Sequence, residues 1–355
     1  MPIDTLHVWL NGHDATPIDL PQESRVSYHV EPTNPGPWVR YRSANNLDDR
    51  AVFLTLDDDL QYPPDYVERG VHELARLGES SMVCFSGIRW DPVAPRFTYP
   101  SDRWQCAADE PLDCARRVAL HFGQTSLFWA KAVKGAINFA ADGFRTNDDM
   151  MIGYQLQRRG VQIICCPKPA RWLQDTEFSF QEHALHKRDK ATRHRTLRAL
   201  VERLGFDPTA DRLREILTKP KRILILSDLC PPLPGSQKLE ARLRALAAAD
   251  ASVHLLATVR HSQIGIVQHY ANVPYDVHIA AVPDPGGRLD SVAPVRKWRD
   301  WRIRRAGAAS LSMMHARCFA VLRPTEVYRD CEGSLLPVLE TPTFGVVEPT
   351  MAAHE

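Results

Sequence analysis

Residues 51–59 read AVFLTLDDD, an almost continuous apolar run followed directly by three aspartates. An apolar run of this length is typical of a strand that is buried on both faces of a sheet. Adjacent carboxylates at the end of such a strand repel one another and are costly to desolvate unless a cation compensates them. Ligands of α/β folds bind at the carboxyl ends of the strands. The stretch therefore predicts either a cation-binding edge or a solvated acidic turn before a helix.

Short apolar runs alternate with helical patterns on both sides of this stretch, which is typical of an α/β fold. Strands are expected at 6–10, 51–56, 82–85 and 161–165, and a strand that leads into a helix is expected at 124–136. A helix is expected from about Pro63 to Gly78, because proline suits a first helical turn and glycine a helix end. A further helix is expected from Asp148 to Arg159, and no element is predicted for residues 14–48.

A second domain is predicted to begin after Lys219-Pro220-Lys221, where the composition changes. The residues that follow read as a strand, a loop, a helix and a strand, at 222–227, 231–235, 236–249 and 253–257. A unit of this kind is typical of a Rossmann-like fold. We therefore predict a first domain at 1–205, a linker at 206–220 and a second, incomplete Rossmann-like domain at 221–355.

Composition and charge argue against several classes of protein. The 355 residues include 44 Lys and Arg against 43 Asp and Glu, a net charge of +1, whereas dedicated nucleic-acid binders usually carry a strong basic excess. No stretch approaches the roughly 18 consecutive apolar residues of a membrane-spanning helix, and the first residues do not resemble a secretory signal. The eight cysteines form no C-x-x-C pair, which argues against a zinc cluster or a disulfide framework. We therefore expect a cytoplasmic protein with reduced thiols.

A second acidic cluster, Asn147-Asp148-Asp149, stands at the predicted start of a helix. Aspartate is favoured there for structural reasons, because it caps the helix and interacts favourably with the helix dipole. Thr146 and Asn147 are the candidate capping residues. The alternative is chemical: a carboxylate at a pocket rim accepts a proton from an attacking hydroxyl group, and an aspartate with an ordinary pKa is ionised for that role at neutral pH. The sequence leaves both interpretations open.

Taken together, these residues resemble a known family. The stretches TLDDDLQYPPDYVE (55–68), NDDMMIGYQLQRRG (147–160) and PKPARWL (167–173) are similar in order and spacing to motifs of GT-A-fold glycosyltransferases. The resemblance is strongest to family-two-like bacterial enzymes of surface-polysaccharide synthesis, and it covers roughly residues 5–200. It implies a GT-A-like sheet domain that transfers a sugar, with inversion, from a nucleoside diphosphate sugar to a hydroxyl group of a glycan or lipid-linked acceptor.

The resemblance also implies roles for individual residues. Asp57 and Asp59, with Asp58 between them, correspond to the DxD element that binds the donor nucleotide-sugar through Mn²⁺ or Mg²⁺. Asp149, beside Asp148, corresponds to the base that accepts the proton of the acceptor hydroxyl group. The further candidates are His183 or His186 as a metal ligand, and Gly123–Ser126 and Trp129 as contacts to the donor sugar or the acceptor.

The family's leading strand, which holds the nucleotide base, lies upstream of the strand that residues 6–10 resemble. The chain starts after that point, so the base pocket is expected from residues 25–45, from another chain, or not at all. This departure from the family pattern places the activity in question.

The second half has a resemblance of its own. The stretch RILILSDLCPPLPGSQKLEARLRALAAADASVHLLA (222–257) is similar to the amino-terminal half of GT-B glycosyltransferases of the family-four type. Its loop Pro234-Gly235-Ser236 corresponds to the loop that lines the active cleft, and backbone N–H groups at a helix start suit an anion. Because residues 221–355 leave no room for a second Rossmann domain, this half is expected to hold acceptor or to be a remnant, and not to catalyse alone.

Two basic segments, at 187–203 and 296–305, have no place in these motifs. The structural interpretation is a solvated helix face whose long side chains cover apolar surface. The functional interpretation is peripheral docking on anionic lipid at the inner face of the membrane, where a lipid-linked acceptor would lie. Contact with nucleic acid is the third interpretation, and the balanced overall charge disfavours it.

The sequence thus predicts a metal-dependent, inverting glycosyltransferase with two alternatives. One is a catalytically inactive module that binds a nucleotide or a carbohydrate, which the missing leading strand favours. The other is a Mg²⁺-dependent nucleotidyl- or phosphotransferase, because such enzymes also use clustered aspartates and Mg²⁺.

Overall fold

The computed structural model describes residues 3–93, 103–135, 147–176, 190–228, 230–231, 233–263, 273–282, 309–331 and 334–337. The protein is of the mixed α/β class, with parallel and mixed sheets. Two compact units divide the chain, the first running to Arg214 and the second beginning at Glu215. No helix within these ranges is both long enough and apolar enough to cross a membrane.

The first unit holds both acidic clusters. Its strands are β1 (Leu6–Asn11), β2 (Val26–Glu31), β3 (Val52–Thr55), β4 (Leu60–Gln61), β5 (Ser81–Cys84), β6 (Gly87–Trp90), β7 (Arg103–Cys106), β8 (Arg116–Val118), β9 (Leu120–His121), β10 (Ser126–Trp129), β11 (Gln162–Cys165) and β12 (Gln174–Asp175). Its helices are two 3₁₀ helices (Pro37–Asn46 and Gly123–Thr125), α1 (Tyr66–Leu77), α2 (Ala130–Val133), α3 (Asp148–Arg158) and α4 (Lys190–Leu204). The predicted strands are thereby confirmed to within two residues at each end. A further helix, α5 (Ala210–Thr218), spans the division between the units and occupies most of the stretch predicted as a linker.

The main sheet of the first unit has the strand order β3-β10-β5-β11-β8. β10 runs antiparallel to both of its neighbours, β3 and β5, whereas β5 and β11 are parallel. The strands β3, β5 and β11 therefore point the same way, and their carboxyl ends lie at one edge, which we call the carboxyl edge. The sheet is mixed rather than wholly parallel, yet it keeps the edge at which a ligand was expected.

Helix α1 packs on the main sheet against β5 and β10. It begins at Tyr66 and not at Pro63, because the carbonyl oxygen of Pro63 first accepts a turn hydrogen bond from the backbone N–H of Tyr66, at 3.0 Å. Leu74 is fully buried on the side that meets the sheet. Gly78 ends the helix with a φ of 80°, and its N–H donates to the carbonyl oxygen of Leu74 at 3.1 Å.

The stretch 14–48, for which no element was predicted, contains β2 and a long 3₁₀ helix. β2 pairs with β1 in a separate two-stranded parallel sheet. The 3₁₀ helix begins after Gly36, whose φ of 102° suits glycine, and it buries Trp38, Val39 and Tyr41 in the core. Its hydrophobic side chains thus fix the position of Arg40, which lies between two of them in the sequence.

Gly87 lies in β6, opposite His121 of β9. A Cβ atom at this position would lie 2.7 Å from the backbone oxygen of Leu120 and 3.0 Å from Cγ2 of Val118. Because a backbone oxygen cannot rotate away as a side chain does, we expect Gly87→Ala to lower the free energy of unfolding by about 2 kcal/mol. Urea unfolding measures the difference from the wild type.

Gly70→Ala in α1 is the matched control. Its Cβ atom would meet the methyl groups of the Leu127 side chain, at 2.5 and 2.8 Å. A side chain can adjust, and alanine is favoured over glycine in a helix by about 1 kcal/mol. A loss of stability in Gly70→Ala as large as that in Gly87→Ala would contradict the expectation.

The described strands of the second unit form one sheet with the order β15-β14-β13-β16-β17. Its strands are β13 (Arg222–Ser227), β14 (Ser252–Arg260), β15 (Asp276–Val282), β16 (Glu326–Cys331) and β17 (Ser334–Pro337). The first four run parallel, and β17 is an antiparallel edge strand. Helix α6 (Gln237–Ala247) joins β13 to β14, which confirms the predicted strand–helix–strand unit. Gly235, in the loop before α6, has a φ of 89°.

Candidate functional site

The first acidic cluster follows the carboxyl end of β3 and is tied to the loop before β10. The backbone N–H of Asp57 donates to the hydroxyl oxygen of Tyr62 at 2.9 Å, and that hydroxyl group donates to the carbonyl oxygen of Gln124 at 2.8 Å. The hydroxyl group of Thr55 donates to the carbonyl oxygen of Gly123. These bonds fix the backbone of the acidic turn against the loop before β10.

The three aspartates of this cluster differ in exposure. Asp57 and Asp59 are half-buried, whereas Asp58 between them is exposed. Asp57 and Asp59 are therefore the two whose side chains the protein partly covers.

The second acidic cluster begins α3 and is buried. Asp148 and Asp149 are only 6% and 5% exposed. Asn147 occupies the N-cap position without a side-chain capping hydrogen bond, and its amide Nδ2 donates instead to the hydroxyl group of Thr196 in α4, at 3.0 Å. The other capping candidate, Thr146, lies outside the described residues. Because burying a carboxylate is costly, this degree of burial is more than a surface cap requires.

Arg40 joins the two acidic clusters. Its Nη1 forms a hydrogen-bonded ion pair with Oδ1 of Asp57, and its Nε lies 3.7 Å from Oδ2 of Asp148. The same Nε donates to the carbonyl oxygen of Pro37 at 2.8 Å, which orients the guanidinium group. Although burial disfavours its charge, the nearby Asp57 and Asp148 raise the pKa of Arg40 above its ordinary value. One permanently charged group thus bridges the end of β3 and the start of α3.

Gly123 lies at the same junction. A Cβ atom on it would lie 3.4 Å from Nη1 of Arg40 and 3.4 Å from Oδ2 of Asp148. The residue therefore leaves the space beside this ion pair open. Of the candidate donor or acceptor contacts, Gly123 is one that the structure brings to the acidic clusters.

Trp129 is not brought to the clusters. It ends β10 and pairs with Val52 at the start of β3, whereas Ser126 at the other end of β10 pairs with Thr55. The antiparallel direction of β10 thus places Trp129 three strand positions away from the carboxyl edge. Its side chain packs on the apolar cluster around α1.

Asp149 is held by a different set of partners. Its Oδ2 accepts a hydrogen bond from Arg193 of α4, and its Oδ1 accepts one from the backbone N–H of Met150 at 2.9 Å. The buried imidazole of His121 lies close enough to sense its charge: burial lowers the pKa of His121 to about 4, while Asp149 opposes that shift. Nδ1 of His121 shares a hydrogen bond of 2.6 Å with the hydroxyl group of Ser126.

Asp148 is less well satisfied than Asp149. Its Oδ2 is buried and has no hydrogen-bond partner within the described part of the chain. Burial raises the pKa of Asp148 to about 6. Arg40 opposes this rise, whereas the charges of Asp149 and Asp57 add to it.

Asp59 experiences a similar accumulation of negative charge. Burial is the largest cause that raises its pKa to about 6. Three neighbouring carboxylates raise it further, those of Asp57, Asp58 and Asp175. A cation bound beside Asp59 would relieve this repulsion.

Asp59 and Asp148 should make the stability of the protein depend on pH. Their pKa values of about 6 in the folded protein exceed the ordinary value of 3.8, so the folded state retains protons that the unfolded chain has released. This contribution to stability is complete below about pH 4 and is lost as the pH rises through about 6. We therefore expect the free energy of unfolding to fall across this window more steeply in the wild type than in Asp59→Asn or Asp148→Asn. Urea titrations at several pH values measure the slopes, and parallel slopes in all three proteins would refute the expectation.

The oxygen donors of the first cluster fit a hard divalent cation in their chemistry. Carboxylate oxygens are preferred ligands of Mg²⁺ and Mn²⁺. Burial first, and then the charges of Asp57, Asp58 and Asp175, raise the pKa of Asp59. Among the described residues, however, no group of three His, Cys, Asp or Glu side chains is placed to hold a metal ion. Asp57 and Asp59 would therefore have to share the ion with oxygens of a bound ligand or with residues outside the described ranges. The candidate ligands His183 and His186 both lie outside those ranges.

One of the two basic segments, 187–203, contributes a residue to the candidate site. Lys190–Leu204 forms α4, and its Arg193 neutralises the buried Asp149. The arginines Arg195, Arg198 and Arg203 of the same helix are exposed. The other basic segment, 296–305, lies outside the described residues.

The sequence patterns did not indicate the roles of Arg40 and Arg193, the cations that pair with the acidic clusters within the described ranges. Arg193 belongs to a segment that was noted only for its total charge. Arg40 stands in a stretch with no assigned element. The one available signal was the charge itself, because acidic groups that are partly or wholly buried require nearby cations.

Comparison with known proteins adds no assignment to this geometry. No protein-family model matches the chain. No curated protein matches it significantly in sequence.

Proposed function

We propose that this chain is a glycosyltransferase of the GT-A type, joined to a partial GT-B-like second unit. It would transfer a sugar, with inversion, from a nucleoside diphosphate sugar to a hydroxyl group of a glycan or lipid-linked acceptor at the cytoplasmic side of the membrane. The observation that carries the proposal is the contact of one guanidinium group, Arg40, with both Asp57 and Asp148. A transferase needs a group that binds the donor and a group that activates the acceptor at one place, and this contact brings two such candidates together.

The donor side of the proposed site is the carboxyl end of β3. Asp57 and Asp59 would hold Mn²⁺ or Mg²⁺ together with oxygens of the donor diphosphate. A bound divalent cation supplies Lewis-acid stabilisation of the charge on a departing nucleoside diphosphate. Arg40 contributes a second positive charge beside Asp57, and it does so without a metal.

The acceptor side is the start of α3, and two carboxylates compete for the role of base. The family resemblance implies Asp149, whose two oxygens accept hydrogen bonds from Arg193 and Met150. The geometry favours Asp148, because its Oδ2 lies beside Gly123 and Arg40 and accepts no hydrogen bond from a described residue. Its raised pKa of about 6 also brings it closer to the pH at which a base works best. We therefore assign the proton-accepting role to Asp148 and an orienting role to Asp149.

The proposal is tested by screening nucleoside diphosphate sugars for release of the nucleoside diphosphate in the presence of Mn²⁺. We expect release in the wild type, loss of release after chelation with EDTA, and a decrease of about 10²-fold or more in Asp59→Asn, as is typical for loss of one electrostatic stabiliser of a leaving group. Asp65→Asn is the matched control. Asp65 precedes α1, and its Oδ1 accepts a hydrogen bond from Nε1 of Trp172 at 3.0 Å. An active wild type whose turnover is unaffected by Asp59→Asn would disprove the site.

A second candidate is a module that binds a nucleotide or a carbohydrate without turnover. It is favoured by the pairing of Arg40 with Asp57, which already neutralises one of the two carboxylates proposed for the metal. In that case a nucleoside diphosphate binds equally well with and without Mn²⁺, and no sugar is released. The nucleotidyl- or phosphotransferase alternative would instead release pyrophosphate or transfer a phosphoryl group in the same screen.

A further inference from the structure

Two histidines of neighbouring strands face each other outside the candidate site. His7 belongs to β1 and His29 to β2, and the two strands pair in parallel along their whole length. Nδ1 of His7 and Nε2 of His29 lie 2.9 Å apart and share a hydrogen bond. Both side chains are half-buried, so small ions from solvent can reach them. The proposed sugar transfer makes no use of this pair.

Neighbouring aromatic and charged side chains hold the histidine pair in position. The indole ring of Trp9 stacks on the imidazole of His29, with 4.3 Å between the ring centroids and 19° between the planes. The imidazole of His7 stacks on the same ring at 5.2 Å. The guanidinium group of Arg42 lies 5.5 Å from the centre of Trp9 and is itself paired with Glu31. The rings are thus ordered before any ion binds, which lowers the entropic cost of binding.

The separation of the two facing nitrogens fits two neighbouring ligands of one metal ion. Neutral imidazole nitrogens are common metal ligands. With metal–nitrogen bonds of about 2.05 Å, two nitrogens that are 2.9 Å apart subtend an angle of about 90° at the ion. A tetrahedral ion with the same bond length would require a separation of about 3.3 Å. Right angles are typical of the square-planar and tetragonal coordination of Cu²⁺ and Ni²⁺.

Both histidines can present a lone pair to an ion without losing a proton. In the hydrogen-bonded pair, one of the two facing nitrogens carries the N–H group and the other accepts it. When that proton moves to the outer nitrogen of the same ring, both facing nitrogens become acceptors. Burial and then the charge of His7 lower the pKa of His29, whereas Glu31 opposes the shift. At neutral pH His29 is therefore in the neutral form that binds metal ions.

We propose that His7 and His29 bind one divalent transition metal ion, Cu²⁺ or Ni²⁺, between their facing nitrogens, with water molecules at its remaining positions. Water is needed because no group of three His, Cys, Asp or Glu side chains in the described ranges is placed to hold a metal. The ion differs in kind from the one proposed for the transfer reaction. Imidazole nitrogens favour Cu²⁺ and Ni²⁺, whereas the carboxylates of Asp57 and Asp59 favour Mg²⁺ and Mn²⁺.

The test is titration of the full chain at neutral pH with the metal ions alone. Electron paramagnetic resonance of the first equivalent of Cu²⁺ should show two imidazole nitrogens as ligands. Isothermal titration calorimetry should show binding of Ni²⁺. His7→Gln and His29→Gln should each weaken the binding of Ni²⁺ by about 10²-fold, because the remaining histidine no longer has a second ligand held at high effective concentration.

His72→Gln is the control, because it removes an exposed imidazole of α1 that lies 4.0 Å from Glu73. It should leave the affinity for Ni²⁺ unchanged. The proposal is overturned if the first Cu²⁺ has fewer than two nitrogen ligands in the wild type, or if His72→Gln weakens binding as much as the pair variants. It is also overturned if both pair variants keep the wild-type affinity, since the pair would then have only a structural role. The spectrum of the wild type requires neither a folded variant nor turnover, so it is independent of the proposed glycosyltransferase activity.

Discussion

Asp148→Asn is expected to lower the rate of sugar transfer by about 10²–10⁴-fold, the range typical for loss of a general base. Asparagine keeps the shape of the side chain but cannot accept the proton of the acceptor hydroxyl group. Asp149→Asn should have the smaller effect, because Asp149 is paired with Arg193 and has an orienting role in our proposal. The measurement is the release of nucleoside diphosphate at saturating donor and acceptor, for both variants and the wild type.

The pH dependence of the rate supplies an independent check. Because the base must be ionised, the rate of the wild type should rise with pH through an apparent pKa near 6, the value to which burial raises the pKa of Asp148. Asp149→Asn should retain a rising profile, since it leaves Asp148 in place. The assignment would be reversed if Asp149→Asn abolished transfer while Asp148→Asn remained active.

Arg40→Met is expected to lower the free energy of unfolding by about 3–5 kcal/mol, the cost typical for removing one partner of a buried ion pair. The change leaves Asp57 and Asp148 without the cation that lies between them. Methionine fills much of the volume of the arginine side chain. The loss of stability would therefore reflect the missing positive charge and not a cavity. Urea unfolding at neutral pH measures the difference.

Arg42→Met is the control for Arg40→Met. Arg42 lies on the same 3₁₀ helix, pairs with Glu31 and covers Trp38, but its side chain is 42% exposed against 19% for Arg40. Arg42→Met should lower the free energy of unfolding by about 1 kcal/mol, as for other exposed ion pairs. A double variant, Arg40→Met with Asp148→Asn, should recover part of the lost stability, because the orphaned carboxylate is removed. Equal losses in the two single variants, or no recovery in the double variant, would contradict the bridging role of Arg40.

The elements that sequence predicted correctly are those whose signal is local. The strand at Val52–Thr55 follows from a continuous apolar run, and α3 follows from the acidic residues at its start and the basic residues at its end. The position of the three aspartates at a strand end was predictable for the same reason. Their function was not, because a solvated turn and a binding edge have the same local sequence.

The features that sequence did not predict depend on distant parts of the chain. β10 pairs with β3 in the antiparallel direction. The hydrophobic periodicity of a strand does not show which other strand it pairs with. It is this pairing that carries Trp129 away from the carboxyl edge and leaves Gly123 beside it. Arg40 was missed because its 3₁₀ helix has no strong hydrophobic period. Its contacts with Asp57 and Asp148 arise only when three separate segments meet.

The insertion of β10 also has a consequence for biosynthesis. β3 and β5 leave the ribosome first, but the strand that bridges them is made only after β6 to β9 have followed. Until then the two strands expose backbone N–H and C=O groups that lack their partners in β10. Strands of neighbouring nascent chains can pair with these groups. Chaperone demand during translation should therefore decline once β10 has emerged and closed the gap between β3 and β5.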